Sequence, residues 1–289
     1  MKNKILIIVT LITATAASVG LLSWLGLEKG RIVVVNGGTS TSPTSVFAKS
    51  YVSAYQEGDF QLGKNCDDTQ KVAQKYSNSV RLLTNDHIAS AIRRGEACDT
   101  NINPDRIVLV ADNHFQVCRL PETSIKLTDA GVTLGRASVH PVEAFNADFN
   151  ASNPGVDLKT IPFKGSKNVL QAVLNGDINW GIIASSIATP MIEQDKIVCE
   201  YDTTPKGSAT GKSLNDHFNL NLDGFMLKYM LVAENTKTVT IDELKKAANS
   251  AEFQMYLVKG GFYNISTNVT ASHVADIVKS GIEKANYGK

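Results

Sequence analysis

Short β-branched runs that end in glycine or small polar residues alternate, twice over, with stretches whose apolar residues recur at helical spacing. Few architectures satisfy that alternation, because a strand buried on both faces needs helices on both sides and crossovers between parallel neighbours. Arg31 to Val35 (RIVVV) runs into Asn36-Gly37-Gly38, the pattern of a buried parallel strand entering a turn. Ser42 is a good N-cap with Pro43 at the first helical position, and Val46, Phe47, Tyr51, Ala54 and Tyr55 form an apolar stripe. A turn at Gly58-Asp59, a strand near Phe60 to Leu62, a helix near Thr69 to Tyr76 and a strand at Val80 to Thr84 complete a βαβαβ unit of a doubly wound sheet.

Two further strands, Arg106 to Ala111 and His114 to Arg119, flank Asp112-Asn113, which reads as a hairpin or a sharp bend leaving this unit. In the second unit, Val132 to Leu134 is a strand ending at Gly135-Arg136-Ala137-Ser138, and a helix follows around Val142 to Phe149. Leu158 to Ile161 ends at Pro162-Phe163-Lys164-Gly165. Ser166 then caps a helix that turns Val169, Leu170, Val173 and Leu174 inward and stops at Asn175-Gly176. Ile178 to Ile183 is the third strand, ending at Ala184-Ser185-Ser186. The chain returns through Ile197 to Tyr201, a polar stretch from Asp202 to Asn221 and a strand at Phe225 to Val232. It finishes in helices, the last starting near Thr270 and burying Val274, Ile277, Val278 and Ile282.

The 289 residues are 43% hydrophobic and 20% charged, enough for one or two full cores. Lys and Arg total 29 against 28 for Asp and Glu, so no global field favours a polyanion, and nucleic acid is not an expected partner. At the N-terminus Lys2 and Lys4 precede an uncharged run from Ile5 to Leu27. The small residues Ala14, Ala16 and Ala17 after Ile5 to Ile12 suit a cleaved signal peptide. Continued apolarity through Leu21, Leu22, Trp24 and Leu27 suits a retained anchor, with about 34 Å of helix against a bilayer core of roughly 30 Å. Both readings put the folded part outside the cytoplasm, in the periplasm or its equivalent.

Four cysteines, an even number, agree with export. Four cysteines allow three pairings, of which Cys66 with Cys98 and Cys118 with Cys199 is favoured, the second joining two crossing strands; the alternative is four buried free thiols. No CxxC or HxxxH spacing occurs and the histidines are scattered, so neither a metal nor a cofactor is expected. Gly207 to Ser213 (GSATGKS) imitates a phosphate-binding loop but has the wrong glycine spacing, and its polar surroundings read as a surface loop. No G-x-S-x-G elbow is present.

Loops that enter helices from parallel strands attract carboxylate or phosphate, because the first helical N–H groups lack partners and carry partial positive charge. The candidates in the first unit are Asn36, Gly37, Gly38, Thr39 and Ser40, then Thr84 and Asn85. In the second they are Gly135, Arg136 and Ser138, then Lys164 and Gly165, then Ser185 and Ser186. Plain turns, helix caps and a surface arginine are the competing readings of these residues. Tyr51, Tyr55, Phe145 and Phe149 lie on helical stripes and belong to the core.

Gly155-Val-Asp-Leu-Lys-Thr-Ile-Pro-Phe-Lys-Gly-Ser166, followed by Leu170 to Ile178 (LQAVLNGDI), resembles the core signature of the extracytoplasmic solute receptors of the tripartite tricarboxylate transporters. Val35 to Thr39 resembles that family's first loop, and Ala251 to Gly261 with Thr270 to Glu283 its C-terminal helices. The chain differs from the family pattern at Asn36, within Ala184-Ser185-Ser186, and in its cysteines. The resemblance implies a type 2 periplasmic-binding-protein-like α/β fold, two doubly wound sheets with a ligand cleft between lobes. It places a signal peptide or anchor at 1–29, lobe I at 30–122, lobe II at 123–221, and a return to lobe I at 222–289. It further implies a monomeric, non-catalytic receptor that binds a small organic anion, a carboxylate, and delivers it to a membrane permease, with the main chain at Lys164 and Gly165 facing the ligand. A substrate-binding protein of an ABC importer, for an amino acid or oxyanion, is the alternative, and an exported α/β enzyme a third reading.

Overall fold

A computed structural model describes residues 32–37, 40, 42–55, 58–95, 102–137, 145, 148–156, 158–204, 207–208, 211–220, 226–264 and 270–284. The expectations for the N-terminal segment and for Gly38, Thr39, Cys98 and Ser138 fall outside them.

Val33, Val34 and Val35 are buried on both faces, so β1 (Ile32–Gly37) sits inside a sheet, as its β-branched run requires. It is followed by α1 (Pro43–Tyr55), β2 (Gly58–Gly63), α2 (Cys66–Ala73), β3 (Ser79–Thr84), α3 (Asn85–Arg93) and β4 (Ile107–Asn113). The second series comprises β5 (Phe115–Arg119), β6 (Thr133–Ala137), β7 (Lys159–Phe163), α4 (Ser166–Leu174), β8 (Trp180–Ala184), α5 (Ser185–Ile192), β9 (Val198–Asp202), β10 (Lys212–Ser213) and α6 (Leu214–Phe218). The chain ends with β11 (Leu227–Ala233), α7 (Ile241–Ala248), α8 (Ala251–Lys259), β12 (Tyr263–Asn264) and α9 (Ala271–Lys284).

These strands form two six-stranded mixed sheets, ordered β12-β4-β11-β3-β1-β2 and β10-β9-β5-β8-β6-β7. Each sheet carries helices on both faces, which makes a bilobal α/β fold. Phe47 and Tyr51 of α1 pack with Tyr229, Leu231 and Phe253 on one face of the first sheet. Leu83, Leu109, Met230 and Val232 pack under Ile88, Val274 and Val278 on the other. In the second sheet Phe145 and Phe149 cover Leu134, Trp180 and Ile182, while Val169 and Val173 of α4 cover the opposite face with Ile178 and Ile183.

Of the two readings of Asp112-Asn113, the structure has the bend that leaves the first unit and not the hairpin. β4 pairs with β11 and β12, whereas β5, expected with the first lobe, pairs with β8 and β9. The chain therefore passes between sheets at Asn113-His114-Phe115, ahead of the expected boundary at 122. The stretch expected as a polar surface loop also differs: Leu214, Phe218 and Leu220 are buried against the Phe149 and Trp180 core. Val46, placed on the buried stripe of α1, is 45% exposed because the stripe turns on Phe47, Tyr51 and Ala54. Cys118 and Cys199 form a disulfide between the antiparallel neighbours β5 and β9. Cys66 is disulfide-bonded as well.

Candidate functional site

β1, β2 and β3 are parallel, and β11 runs antiparallel to both β3 and β4, so the C-terminal ends of β1, β3 and β4 share one edge of the first sheet. In the second sheet β6, β7 and β8 are parallel, and Phe115, the first residue of β5, pairs with Ala184, the last of β8. Their C-terminal ends therefore lie on the edge where the chain enters from β4. The two edges meet at the Asn113 to Phe115 passage, and α1, α3, α4 and α5 all begin there. Open α/β sheets place ligands outside the carboxyl ends of their strands, in the crevice that such edges leave.

In the first lobe Asn36 is fully buried at the end of β1, where its Nδ2 donates to Ser45 Oγ at 2.8 Å and Thr44 Oγ1 at 3.3 Å. Ser42 Oγ accepts from the Ser45 N–H at 3.2 Å, the expected N-cap of α1. Gly37 closes β1, and a Cβ there would stand 3.1 Å from Thr69 Oγ1, so the strand end lies close against α2. The Ser40 carbonyl accepts from Lys49 Nζ at 3.2 Å. Thr84 caps α3 by accepting from the His87 N–H at 3.2 Å. Asn85 serves as a tie between elements: its Nδ2 donates to the Met226 carbonyl and its Oδ1 accepts from the Lys228 N–H, both at 3.0 Å.

In the second lobe, three local expectations need correction. Gly135 and Arg136 lie within β6, not in a loop after it, since pairing with β7 and β8 extends the strand to Ala137. Gly135 is sealed under α4, where a Cβ would meet Ile178 Cδ1 at 2.3 Å and Phe163 at 3.1 Å. Arg136, the next residue, stands on the opposite face of the sheet and is half-buried. Ser166 does not cap α4. Gly165 occupies that position with φ 90°, and Ser166 Oγ instead accepts from the Ala184 N–H at 3.2 Å, pinning α4 to the end of β8. Lys164 is exposed beside this turn.

Ala184 holds the N-cap position of α5, where its methyl group cannot cap, and Ser185 and Ser186, the first two helical residues, both reach across to the first lobe. Ser185 Oγ lies 2.7 Å from Asn113 Oδ1 and 2.6 Å from the Gly261 carbonyl, while Asn113 Nδ2 donates to Ser186 Oγ at 2.8 Å. Asn113 thus joins the lobes, a role that sequence reasoning missed because the residue was read only as part of a bend. Asp112 and Lys228 form a largely buried ion pair beside it. Burial pushes the Asp112 carboxyl up, and Lys228 pulls it partly back. His114, next along the passage, is buried and lowered to about 4 by desolvation, against the pull of Asp202. Asp202 Oδ1 accepts from the Thr204 N–H at 2.8 Å and from its hydroxyl, which fixes the end of β9 at the same edge.

No protein-family model matches the sequence, and no curated protein matches it. Solved structures do. One described as a periplasmic transporter superposes with a TM-score of 0.66 at 14% identity, over 89% of this chain and 96% of that one. MatC from Rhodopseudomonas palustris, with bound malate, gives a TM-score of 0.60 at 14% identity, over 89% of this chain and 99% of that chain. A TctC solute-binding protein from Polaromonas, with no ligand, gives 0.60 at 12% identity, over 90% and 99%. The described chain therefore has the bilobal fold of the periplasmic solute-binding proteins, TctC-type receptors among them.

Proposed function

We propose that this protein is an extracytoplasmic solute receptor that captures a small organic anion, a carboxylate, between its lobes and presents it to a membrane permease. The observation that supports it is the convergence of four helix N-termini, from α1, α3, α4 and α5, on the facing edges of two sheets. Backbone N–H groups at such ends hold carboxylates without a dedicated cation. In this reading residues 32–113 with 226–284 form lobe I and 115–220 form lobe II, and the strand ends and loops at Gly37, Ser40, Thr84, Arg136 near the end of β6, Lys164-Gly165 and Ser186 face the ligand. Asn85, Gly135 and Ser185 position these loops. The receptor acts as a monomer outside the cytoplasm, where its disulfides persist, released or tethered by its N-terminal segment, and no catalytic step is involved.

The test is thermal unfolding of the full chain, without reductant, against di- and tricarboxylates, aromatic acids, amino acids, phosphate and sulfate. Malate, bound in MatC, heads the panel. A ligand at about a hundredfold excess over its dissociation constant adds about 2.7 kcal/mol and raises the midpoint by several degrees. A shift with one class of carboxylate is expected. A shift with amino acids alone would replace this reading by the ABC-importer receptor, and turnover of any compound in the panel would overturn it.

A further inference from the structure

A cavity of about 160 Å³ opens on the first lobe between α2 and α3. Its wall includes Gly37, Lys64, Cys66, Thr69, His87 and Arg94. Three of these are basic and come from different places: Lys64 from the turn between β2 and α2, His87 from the first turn of α3, and Arg94 from just beyond its end. His87 and Arg94 are seven residues apart, about two helical turns, so they fall on the same side of α3. Among the described residues, none of those that line the cavity is acidic. Of the nearby carboxylates, Asp68 is occupied, its Oδ2 accepting from the Lys64 N–H at 2.8 Å. Asp67 and Asp86 lie outside the lining.

The walls are held rigidly. Cys66 is disulfide-bonded at the start of α2, Thr69 Oγ1 donates to the Asn65 carbonyl at 2.7 Å, and Thr84 caps α3. A preorganised cavity does not spend binding energy on ordering its own groups. At about 30 Å³ per water the volume holds about five waters, enough for a tetrahedral oxyanion or a small carboxylate.

We infer that this cavity, on the α2 and α3 side of the first-lobe edge and sharing Gly37 with the residues assigned to the cleft, is a second anion site in which Lys64, His87 and Arg94 hold a sulfate-, phosphate- or carboxylate-sized group. Burial holds the His87 imidazole below its ordinary range, and the Arg94 charge presses the same way while Asp86 opposes it. An entering anion reverses that balance, so binding takes up a proton and strengthens as pH falls.

Sulfate is the probe, because its charge stays constant across the range in which histidine titrates. Titration calorimetry of the full chain at low ionic strength should show saturable binding, tighter at about pH 5.5 than at about pH 7.5. Lys64→Glu, at an exposed position that leaves the fold intact, and Arg94→Gln should each weaken it about tenfold or more, as loss of a charge-assisted contact does. His87→Gln should remove the pH dependence. Competition by phosphate and by succinate tells an oxyanion site from a carboxylate site. Absence of saturable binding up to about 10 mM, or affinity unchanged in both Lys64→Glu and Arg94→Gln, would overturn the inference. Lys164→Glu and Ser186→Val, on the cleft edge, should leave sulfate affinity unchanged while weakening the carboxylate of the proposed function, so the two readings fail separately.

Discussion

A Cβ added to Gly63 would stand 2.6 Å from the backbone nitrogen of Thr69 and 2.4 Å from its hydroxyl, so α2 reaches the end of β2 only because glycine is there. Gly63→Ala should therefore destabilise by about 1–3 kcal/mol, as overpacking does, and an unchanged midpoint in urea unfolding would refute that close approach. His114 carries a pH-dependent contribution. Its folded pKa, about 4, lies below the unfolded value, so the unfolded chain binds more protons between about pH 4 and 6.5, and the contribution is lost as pH falls through that window. In His114→Gln the thermal midpoint should fall less steeply from pH 6.5 to 4 than in the parent; equal slopes would place the effect elsewhere. Residues of this scale were unequally legible. Tyr51, Phe145 and Phe149 are fully buried, as their helical spacing implies. The ties of Asn85 to Met226 and Lys228 and the packing of Gly135 on Ile178 were not legible, because contacts between separate elements fix them.

Among the elements, β5 and β9 are joined by Cys118–Cys199 across 81 residues of chain. Loop-closure entropy assigns such a bridge about 4.5 kcal/mol. The double variant Cys118→Ala, Cys199→Ala should unfold at clearly lower denaturant, and a midpoint equal to the parent's would show that the bridge adds nothing. α7 carries a complete capping box, with Glu243 Oε2 accepting from the Thr240 N–H at 2.8 Å while Thr240 Oγ1 accepts from the Glu243 N–H at 3.2 Å. Thr240→Ala should cost about 1 kcal/mol, read in the same assay. α1, with its cap at Ser42 and Pro43, and α4, stopped by Asn175-Gly176, were legible because those signals are local. α6 was not. Its five residues are too few to establish a period, and Leu214 and Phe218 reveal their role only through Phe149, Trp180 and Tyr201.

At the scale of the molecule, the Asn113, Ser185, Ser186 and Gly261 contacts tie the lobes at one side of their facing edges. A ligand that bridges the remaining opening shifts the population toward a closed form, so small-angle scattering should record a smaller radius of gyration with the stabilising carboxylate than without it. Asn113→Ala, which removes buried hydrogen bonds, should lower stability by about 1–3 kcal/mol; stability equal to the parent's would show that these contacts do not hold the lobes. The amino-acid sequence by itself determined the order and type of most elements and the α/β class, because periodicity, turn residues and caps act over a few neighbours. Only the tertiary structure decided where the chain changes sheets, that Gly135 is packed away, and that Asn113 meets Ser185 across 72 residues. Contacts of that range depend on how completed sheets and helices stack, and no local pattern of residues encodes them.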